Sequence, residues 1–340
     1  MGEERTLTLG LAIGEALHQE MERDTSVIIM GEDIVGGAGS DEPDAEDSWG
    51  GPMGITRGLV GKFGHNRVRD TPISEAGFIG AAVGAAATGL RPIAALMFID
   101  FFGIPMDQIY NQGAKLRYMF GGKAKVPMVV RALIGAGVNA AAQHSQSLYS
   151  IFTHIPGLKV VIPTTPYDAK GLMIAAIRDD DPVFFLEHKT LLGEKGPVPE
   201  EPYTVPLGKA QIRREGSDVT VVAIAKMVNV ALSAAETLEA EGFSVEVIDP
   251  RTLSPLDGET ILDSVEKTGR LVIVDEDTPR CSLATDIAAL AADEAFYSLE
   301  APIKRITAPH TPVPFSPTLE NAYIPSQERV VATIQEVMSV

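Results

Sequence analysis

Short, uninterrupted apolar runs alternate with amphipathic helical patterns along most of this chain of 340 residues. The runs are too apolar for the alternation of a half-solvated sheet, which is typical of parallel strands covered on both faces. Between them apolar residues recur at helical spacing, as at Ile13, Leu17 and Met21. Strand, helix and strand in repetition predict an α/β fold with doubly wound parallel sheets. The predicted strands are Ser26–Met30, Ile93–Ile99, Pro127–Leu133, Lys159–Ile162, Val183–Glu187, Val219–Ile224, Ser244–Asp249 and Leu271–Asp275.

A proline-rich segment is the predicted domain boundary. Pro197, Pro199 and Pro202 exclude a helix or a central strand there. A chain of this length can bury two separate cores. We therefore predict a first domain over residues 1–195, a linker over 196–206 and a smaller domain over 207–340.

The net charge of −18, from 46 acidic and 28 basic residues, argues against nucleic acid or an anionic membrane as a partner. The longest uncharged apolar stretch, Ala76–Leu90, is rich in Gly and Ala and shorter than a bilayer span. The polar start of the chain has no apolar signal core. The single cysteine, Cys281, excludes an intrachain disulfide and indicates a reducing compartment. We expect a cytoplasmic protein.

One carboxylate, Glu75, lies between a turn and a run of small apolar residues. The preceding segment Asp70–Ser74 consists mainly of turn and helix-start residues. The following segment Gly80–Ala87 suits a helix packed very close to a neighbour. A poorly solvated carboxylate in this position could hold or pass a proton near neutrality. A glutamate that merely favours the helix dipole is an equal alternative.

Three further residues occupy positions where ligands often bind. Glu32 and Phe101 each follow a predicted strand, and ligands gather at the carboxyl ends of strands in an open sheet. On their own they are also explained by a polar strand terminus and a core aromatic. His144 follows an apolar strand among Ala, Gln and Ser, which leave room for a substrate, and imidazole titrates in the useful range. A structural histidine is the alternative.

The segment D-T-P-I-S-E-x-G-x-x-G, from Asp70 to Gly80, resembles the signature of a known family. The family comprises the beta subunits of the thiamine-diphosphate-dependent first component of 2-oxo acid dehydrogenase complexes. The resemblance continues in order over nearly the whole chain. The other matching segments are G-E-D-I at 31–34, R-P-I-A-A-L-M-F-I-D-F at 91–101, A-A-Q-H-S-Q at 141–146, H-I-P-G-L-K-V-V-I-P-T-T-P-Y-D-A-K-G-L at 154–172, V-I-D-P-R-T-L-S-P-L-D at 247–257 and T-A-P-H-T-P-V-P-F-S at 307–316.

The resemblance implies a transketolase-like pyrimidine-binding domain followed by a transketolase C-terminal domain. It implies that Glu75 is the acid that exchanges a proton with the aminopyrimidine ring of thiamine diphosphate. By the same resemblance Glu32 lies near that ring and Phe101 packs against it. His144 is expected in the active-site channel, near the reacting carbon.

The resemblance also implies partners and ions. The chain has no G-D-G, the motif through which such enzymes bind the diphosphate and its magnesium. An alpha subunit is therefore expected to supply that half of the site, in an assembly of two alpha and two beta chains. A lipoyl-bearing second component is expected to accept the product. A structural potassium ion is implied at Met128, Ala176, Asp179 and Asp181, although Asp181 replaces an expected amide, and a solvated turn is the alternative.

The substrate expectation depends on three segments that look more like acetoin than pyruvate dehydrogenase: W-G-G-P-M-G-I-T, R-Y-M-F-G-G-K-A and T-A-P-H-T-P-V-P-F-S. Acetoin cleavage is the expected reaction, with pyruvate or a branched-chain 2-oxo acid as the alternatives. A non-catalytic scaffold subunit and a self-sufficient transketolase-like enzyme are further alternatives. Ala95 stands where many relatives carry a glutamate that helps relay protons between active sites, so the resemblance does not carry that relay over.

Overall fold

The computed structural model describes residues 5–36 and 49–340. Residues 1–4, the segment considered above for a signal peptide, lie outside these ranges. The chain forms two compact units. The first holds residues 1–134, 151–187 and 191–207, and the second holds 135–150, 188–190 and 208–340.

The first part of the chain alternates strands with helices. Its strands are β1 (Thr6–Thr8), β2 (Val27–Gly31), β3 (Val68–Asp70), β4 (Arg91–Phe98), β5 (Val129–Ile134), β6 (Lys159–Val161), β7 (Val183–His188) and β8 (Lys195–Pro197). Its α-helices are α1 (Leu9–Arg23), α2 (Leu59–Phe63), α3 (Glu75–Ala87), α4 (Leu116–Met119), α5 (Tyr149–Thr153) and α6 (Pro166–Arg178). Short 3-10 helices span Ile99–Gly103 and Lys189–Leu191, and a π-helix spans Gln108–Gly113.

The main sheet of the first unit has the strand order β6-β7-β5-β4-β2-β3. Strands β3, β2, β4 and β5 run parallel to one another, and β6 runs parallel to β7. Strands β2, β5 and β7 are buried along their whole length, as expected for strands covered on both faces. Helix α1 packs along α6 and buries Ile13, Leu17 and Met21 completely. Thr8 caps α1 by accepting a hydrogen bond from the Leu11 amide at 3.2 Å.

The second unit continues the alternation. Its strands are β9 (Gln211–Arg214), β10 (Val219–Ala223), β11 (Val245–Asp249), β12 (Thr252–Ser254), β13 (Leu271–Asp275) and β14 (Lys304–Thr307). Its helices are α7 (Met227–Glu239), α8 (Gly258–Thr268), α9 (Leu283–Glu294), α10 (Pro317–Tyr323) and α11 (Gln327–Met338), with a 3-10 helix at Phe296–Ser298.

The sheet of the second unit has the order β14-β13-β10-β11-β9, in which only β9 runs antiparallel to its neighbour. Successive residues of β10 show the two covered faces. Val221 shares an apolar core with α7 and α11. The preceding residue, Thr220, points to the other face, where its hydroxyl forms hydrogen bonds with Ser264 and Thr268 of α8 at 2.6 and 2.8 Å. Helices therefore cover both sides of this sheet.

The predicted α/β class with doubly wound sheets is confirmed, and each of the eight predicted strands is present. Among the described residues, strands β1, β3, β8, β9, β12 and β14 were not predicted. Of these, β3, β9 and β14 lie at an edge of their sheet and carry the polar sequences V-R-D, Q-I-R-R and K-R-I-T. An edge strand needs no apolar residue at every position, so the pattern used for core strands misses it.

Candidate active site

Three neighbouring parallel strands bring the predicted cofactor residues to one edge of the first unit's sheet. Strand β2 lies between β4 and β3, and its last residue pairs in register with Asp70 of β3 and Ala95 of β4. Glu32 follows β2 directly, while Glu75 and Phe101 lie a few residues beyond β3 and β4. The carboxyl ends of parallel strands share one edge of a sheet, which is where ligands bind in open α/β folds.

Glu75 is the first residue of α3 and is only 5% exposed. The helix behind it is closely packed at Gly80, whereas a Cβ atom added at Gly84 would have nothing within 4 Å, so the predicted close packing holds for one face only. A Cβ atom added at Gly80 would lie 3.2 Å from Oε1 of Gln108 in the π-helix. Glu75 therefore combines a buried carboxylate with the first turn of a helix, where the dipole favours negative charge. The burial and the helix-start position expected from the sequence are both present, and the role of Glu75 in proton exchange stays a prediction.

Glu32 is half-buried beside this helix start. Burial raises the pKa of its carboxyl, and the negative charges of Asp33 and Glu75 raise it further. The two predicted acids therefore lie close enough to interact electrostatically. A carboxyl group whose charged form is disfavoured by burial and by neighbouring acids, as at Glu32, is a candidate for proton exchange.

Phe101 lies on the 3-10 helix Ile99–Gly103 and is half-buried. Its ring meets that of Phe98 edge to face, with centroids 5.8 Å apart and planes at 72°. Phe102 instead packs on the fully buried Phe152, at 5.3 Å and 75°. The two adjacent phenylalanines thus face different surroundings, and only Phe102 joins the core aromatic cluster.

A buried ion pair near these residues was not predicted. Arg131 on β5 donates two hydrogen bonds to Glu187 on β7, from Nε to Oε1 at 2.6 Å and from Nη2 to Oε2 at 2.9 Å. The pair borders a cavity of about 50 Å³ whose wall also includes Glu32 and Ala95. In the sequence, this ion pair is indicated only by one charged residue inside each of two otherwise apolar strands, V-V-R-A-L-I and V-F-F-L-E-H. The cavity wall therefore combines Glu32 with a charge-balanced ion pair, whereas position 95 itself carries no acid.

An open groove of about 370 Å³ follows the segment between β3 and α3. Its wall includes Met30, Thr71 and Phe78. The hydroxyl oxygen of Thr71 is buried and has no hydrogen-bond partner among the described residues. Buried polar atoms are normally paired, so this hydroxyl is suited to a polar group of a ligand or of another chain.

The residues implied in potassium binding are already engaged. The Asp179 carboxylate accepts hydrogen bonds from Lys159, at 2.7 and 2.8 Å, and Asp181 pairs with Arg117. The carbonyls of Met128 and Ala176 accept backbone hydrogen bonds at 2.9 and 3.3 Å. Over residues 5–36 and 49–340, no cluster of three or more His, Cys, Asp or Glu side chains could hold a metal ion. The potassium site stays a prediction.

His144 belongs to the second unit and is half-buried. Its backbone carbonyl accepts a hydrogen bond from the ammonium of Lys189. The neighbouring Ser145 is 1% exposed, and its hydroxyl has no hydrogen-bond partner in the part of the chain that the structure describes. A buried, unpaired hydroxyl next to a half-buried histidine is consistent with a ligand position.

A cluster of acids follows the end of β13. Asp275 accepts a hydrogen bond from the Tyr149 hydroxyl, and Ser150 donates one to Asp277 at 2.8 Å. Burial, and then the charge of Asp277, raise the pKa of Asp275 to about 7. Burial also raises the pKa of Asp277. The end of the segment that carries His144 is therefore hydrogen-bonded to two carboxyl groups whose pKa values are raised.

The described residues include no helix long and apolar enough to cross a membrane. The sole cysteine, Cys281, is exposed and unbridged.

Two domain families match the chain. The family "Transketolase, pyrimidine binding domain" matches residues 5–195, and "Transketolase, C-terminal domain" matches residues 208–330. Among solved structures, one described as "Split gene transketolase, inactive beta4 tetramer" has a TM-score of 0.74 and 24% identity. The match covers 96% of this chain and 97% of that one. The fold is therefore transketolase-like.

The sequence is also similar to characterised dehydrogenase subunits. It is 60% identical over 334 residues to the acetoin:2,6-dichlorophenolindophenol oxidoreductase subunit beta of Bacillus subtilis, covering 98% of both chains. The subunit of the same name from Cupriavidus necator shows 60% identity over 334 residues, with 98% of both chains covered. The pyruvate dehydrogenase E1 component subunit beta of Bacillus subtilis is 43% identical over 333 residues, again over 98% of both chains.

Proposed function

We propose that this chain, which belongs to the beta subunits of the thiamine-diphosphate-dependent first component of 2-oxo acid and acetoin dehydrogenase complexes, is the beta subunit of an acetoin-cleaving enzyme. The preference for acetoin is supported by the higher identity to acetoin oxidoreductase subunits than to a pyruvate dehydrogenase subunit. Pyruvate is the alternative substrate, and a branched-chain 2-oxo acid is the third.

The observation that carries the proposal is the meeting of two interacting acids at the carboxyl edge of three parallel strands. Glu75 is buried there, and the pKa of Glu32 is raised by burial and by the charges of Asp33 and Glu75. The half-buried ring of Phe101 follows the third strand. Acids that hold or release a proton, with a flat ring at the same edge of the sheet, fit an aminopyrimidine. The unpaired Thr71 hydroxyl adds a polar group to the same region.

Each residue has one role in this proposal. When bound, thiamine diphosphate supplies the electron-accepting chemistry at the carbonyl carbon of the substrate. Glu75 holds and exchanges a proton at its carboxylate, opposite a ring nitrogen of the pyrimidine. Burial, and then the charges of Asp33 and Glu75, raise the pKa of the Glu32 carboxyl, which favours its neutral form and limits charge repulsion between the two acids. Phe101 packs on the pyrimidine, and His144 orients the substrate or moves a proton through its imidazole.

The chain supplies only half of such a site. With no G-D-G motif in its sequence, it needs an alpha subunit to bind the diphosphate and magnesium. We expect two alpha and two beta chains in the cytoplasm, with a lipoyl-bearing second component accepting the acyl product. A potassium ion near Asp179 and the division into a domain over 1–195, a linker and a domain over 207–340 also remain predictions.

Co-expression with an alpha partner, followed by substrate-dependent reduction of 2,6-dichlorophenolindophenol, tests the proposal. We expect a kcat/KM for acetoin at least about tenfold above those for pyruvate and 2-oxoisovalerate. The assembly carrying Glu75→Ala is the matched control and should lose this activity. A higher kcat/KM for pyruvate would assign the alternative substrate. A fully assembled complex that is inactive with all three substrates would favour the scaffold alternative.

A further inference from the structure

The chain segment that carries His144 begins with a turn whose backbone is bound by a carboxylate far away in the sequence. This segment, residues 135–150, is called the His144 segment below. Glu320 on α10 accepts a hydrogen bond from the Gly137 amide through Oε1 at 2.9 Å and one from the Asn139 amide through Oε2 at 2.8 Å. Glu320 is 1% exposed. Both of its oxygens are thus used to hold the backbone of one turn, by charge-assisted hydrogen bonds.

A second buried carboxylate holds the residue before this turn. Glu276 accepts a hydrogen bond from the Ala136 amide through Oε1 at 2.6 Å and one from His188 Nε2 through Oε2 at 2.9 Å. The imidazole leaves no space next to it, since a Cβ atom at Gly135 would lie 2.1 Å from His188 Nε2. His188 is 2% exposed and Glu276 is 4% exposed. The start of the His144 segment is therefore fixed on two sides.

The middle of the segment has its own attachment. Lys189, which is 7% exposed, donates a hydrogen bond from its ammonium to the backbone carbonyl of His144 itself. The Gly135 amide donates to the carbonyl of Gln146 at 3.0 Å, which closes the segment into a loop. We call Glu276, Glu320 and Lys189 together the clasp.

The backbone of the His144 segment requires such support. Asn139, Ala141 and Leu148 have φ angles of 57°, 61° and 47°. Non-glycine residues in this left-handed region are strained, and they persist only where the surrounding structure over-determines the conformation. Strain of this kind concentrates at functional sites, where it fixes a side chain in a working geometry.

We propose that the clasp is a positioning device, in which Glu276, Glu320 and Lys189 hold the His144 segment in its strained conformation and so place the imidazole for the reaction. The inference rests on the proposed function, in which His144 acts on the substrate. Glu320 and Lys189 bind the backbone of the segment, so in this proposal they act on the reaction only through His144. Loss of the clasp leaves the cofactor-binding residues of the first unit in place and displaces His144.

The test compares Glu320→Gln, Lys189→Met, His144→Ala and the double variant Glu320→Gln with His144→Ala in the alpha–beta assembly. Glu336→Gln is the matched control, because Glu336 makes an exposed ion pair with Lys304. Steady-state kcat and KM with acetoin are measured. Hydrogen exchange of residues 135–150 is followed by mass spectrometry as a readout that does not depend on turnover.

We expect Glu320→Gln and Lys189→Met to lower kcat by about tenfold to a hundredfold, the effect of a misplacement of about 1 Å. The affinity for thiamine diphosphate should not change, and exchange at 135–150 should be faster than in the parent. The double variant should be no slower than His144→Ala alone, because the clasp acts through that residue. Glu336→Gln should match the parent in every measurement.

A parent-like kcat in both clasp variants, or effects of Glu320→Gln and His144→Ala that multiply, would overturn the clasp. If Glu320→Gln does not assemble, Lys189→Met combined with His144→Ala gives the same comparison. A parent-like rate in His144→Ala would refute the role of His144 in the proposed function and the clasp with it. A slow His144→Ala beside normal clasp variants would refute the clasp alone.

Discussion

Replacing Asp275 with asparagine is expected to remove a pH dependence from the stability of the second unit. Asp275 is fully buried, and one carboxylate oxygen accepts hydrogen bonds from the Tyr149 hydroxyl and, at 2.9 Å, from the Asp277 amide. The other oxygen is buried without a hydrogen-bond partner among the residues that the structure describes. Burial is the main reason that the pKa of Asp275 rises from 3.8 to about 7.

The pH dependence of the free energy of unfolding follows from the different pKa of Asp275 in the folded and the unfolded protein. Between about pH 4 and pH 7 the folded protein binds more protons than the unfolded chain, because its Asp275 stays protonated. The free energy of unfolding therefore falls as the pH rises through this range and levels off above it. About three pKa units correspond to a ceiling of about 4 kcal/mol. We expect about 2 kcal/mol, because buried sites respond with a higher effective dielectric constant.

Urea unfolding followed by circular dichroism, at pH 5 and at pH 8, measures the effect. The asparagine side chain keeps the size of aspartate and cannot ionise. The free energy of unfolding of Asp275→Asn, relative to that of the parent, should therefore be about 2 kcal/mol higher at pH 8 than at pH 5. Asp263→Asn, at an exposed position of α8, is the control, and its free energy of unfolding relative to the parent should be the same at both pH values. A difference between parent and Asp275→Asn that does not change with pH would refute the reasoning.

Two substitutions in the first unit and one binding measurement on the isolated chain provide further tests. Glu75→Gln in the alpha–beta assembly should keep the parent melting temperature and lower kcat by about a hundredfold to ten-thousandfold, because the amide cannot exchange the proton; parent-like activity would make Glu75 a helix-start residue. Glu187→Gln should lower the free energy of unfolding in urea by about 3–5 kcal/mol, because Arg131 stays buried without its counter-charge. The exposed Glu336→Gln should change it by less than about 1 kcal/mol, and equal effects would contradict this argument. Calorimetry of the isolated chain with magnesium should detect no submicromolar binding of thiamine diphosphate, and tight binding would argue against a site shared with an alpha subunit.

Local sequence patterns were sufficient for the core elements of both units. Runs such as Val219–Ile224 are apolar at every position because helices cover both faces of the strand. Strand ends and helix starts can also be recognised from adjacent residues, which is how Glu32, Glu75 and Phe101 became candidates. The 3-10 helix that carries Phe101 was not predicted, since it depends on how the chain leaves β4.

Only the tertiary structure decided which of these elements are neighbours. No local pattern encodes the order β4-β2-β3, yet that order brings Glu32 within the electrostatic influence of Glu75.

The same holds for the buried charges. Arg131 and Glu187 are 56 residues apart in sequence, and Glu320 is 183 residues from Gly137. Each of these charges looks isolated in the sequence, whereas a buried charge is tolerated only where the fold supplies a partner. The acids, the turns they hold and the geometry around His144 are therefore properties of the folded chain, because their partners meet only when distant strands and helices pack together.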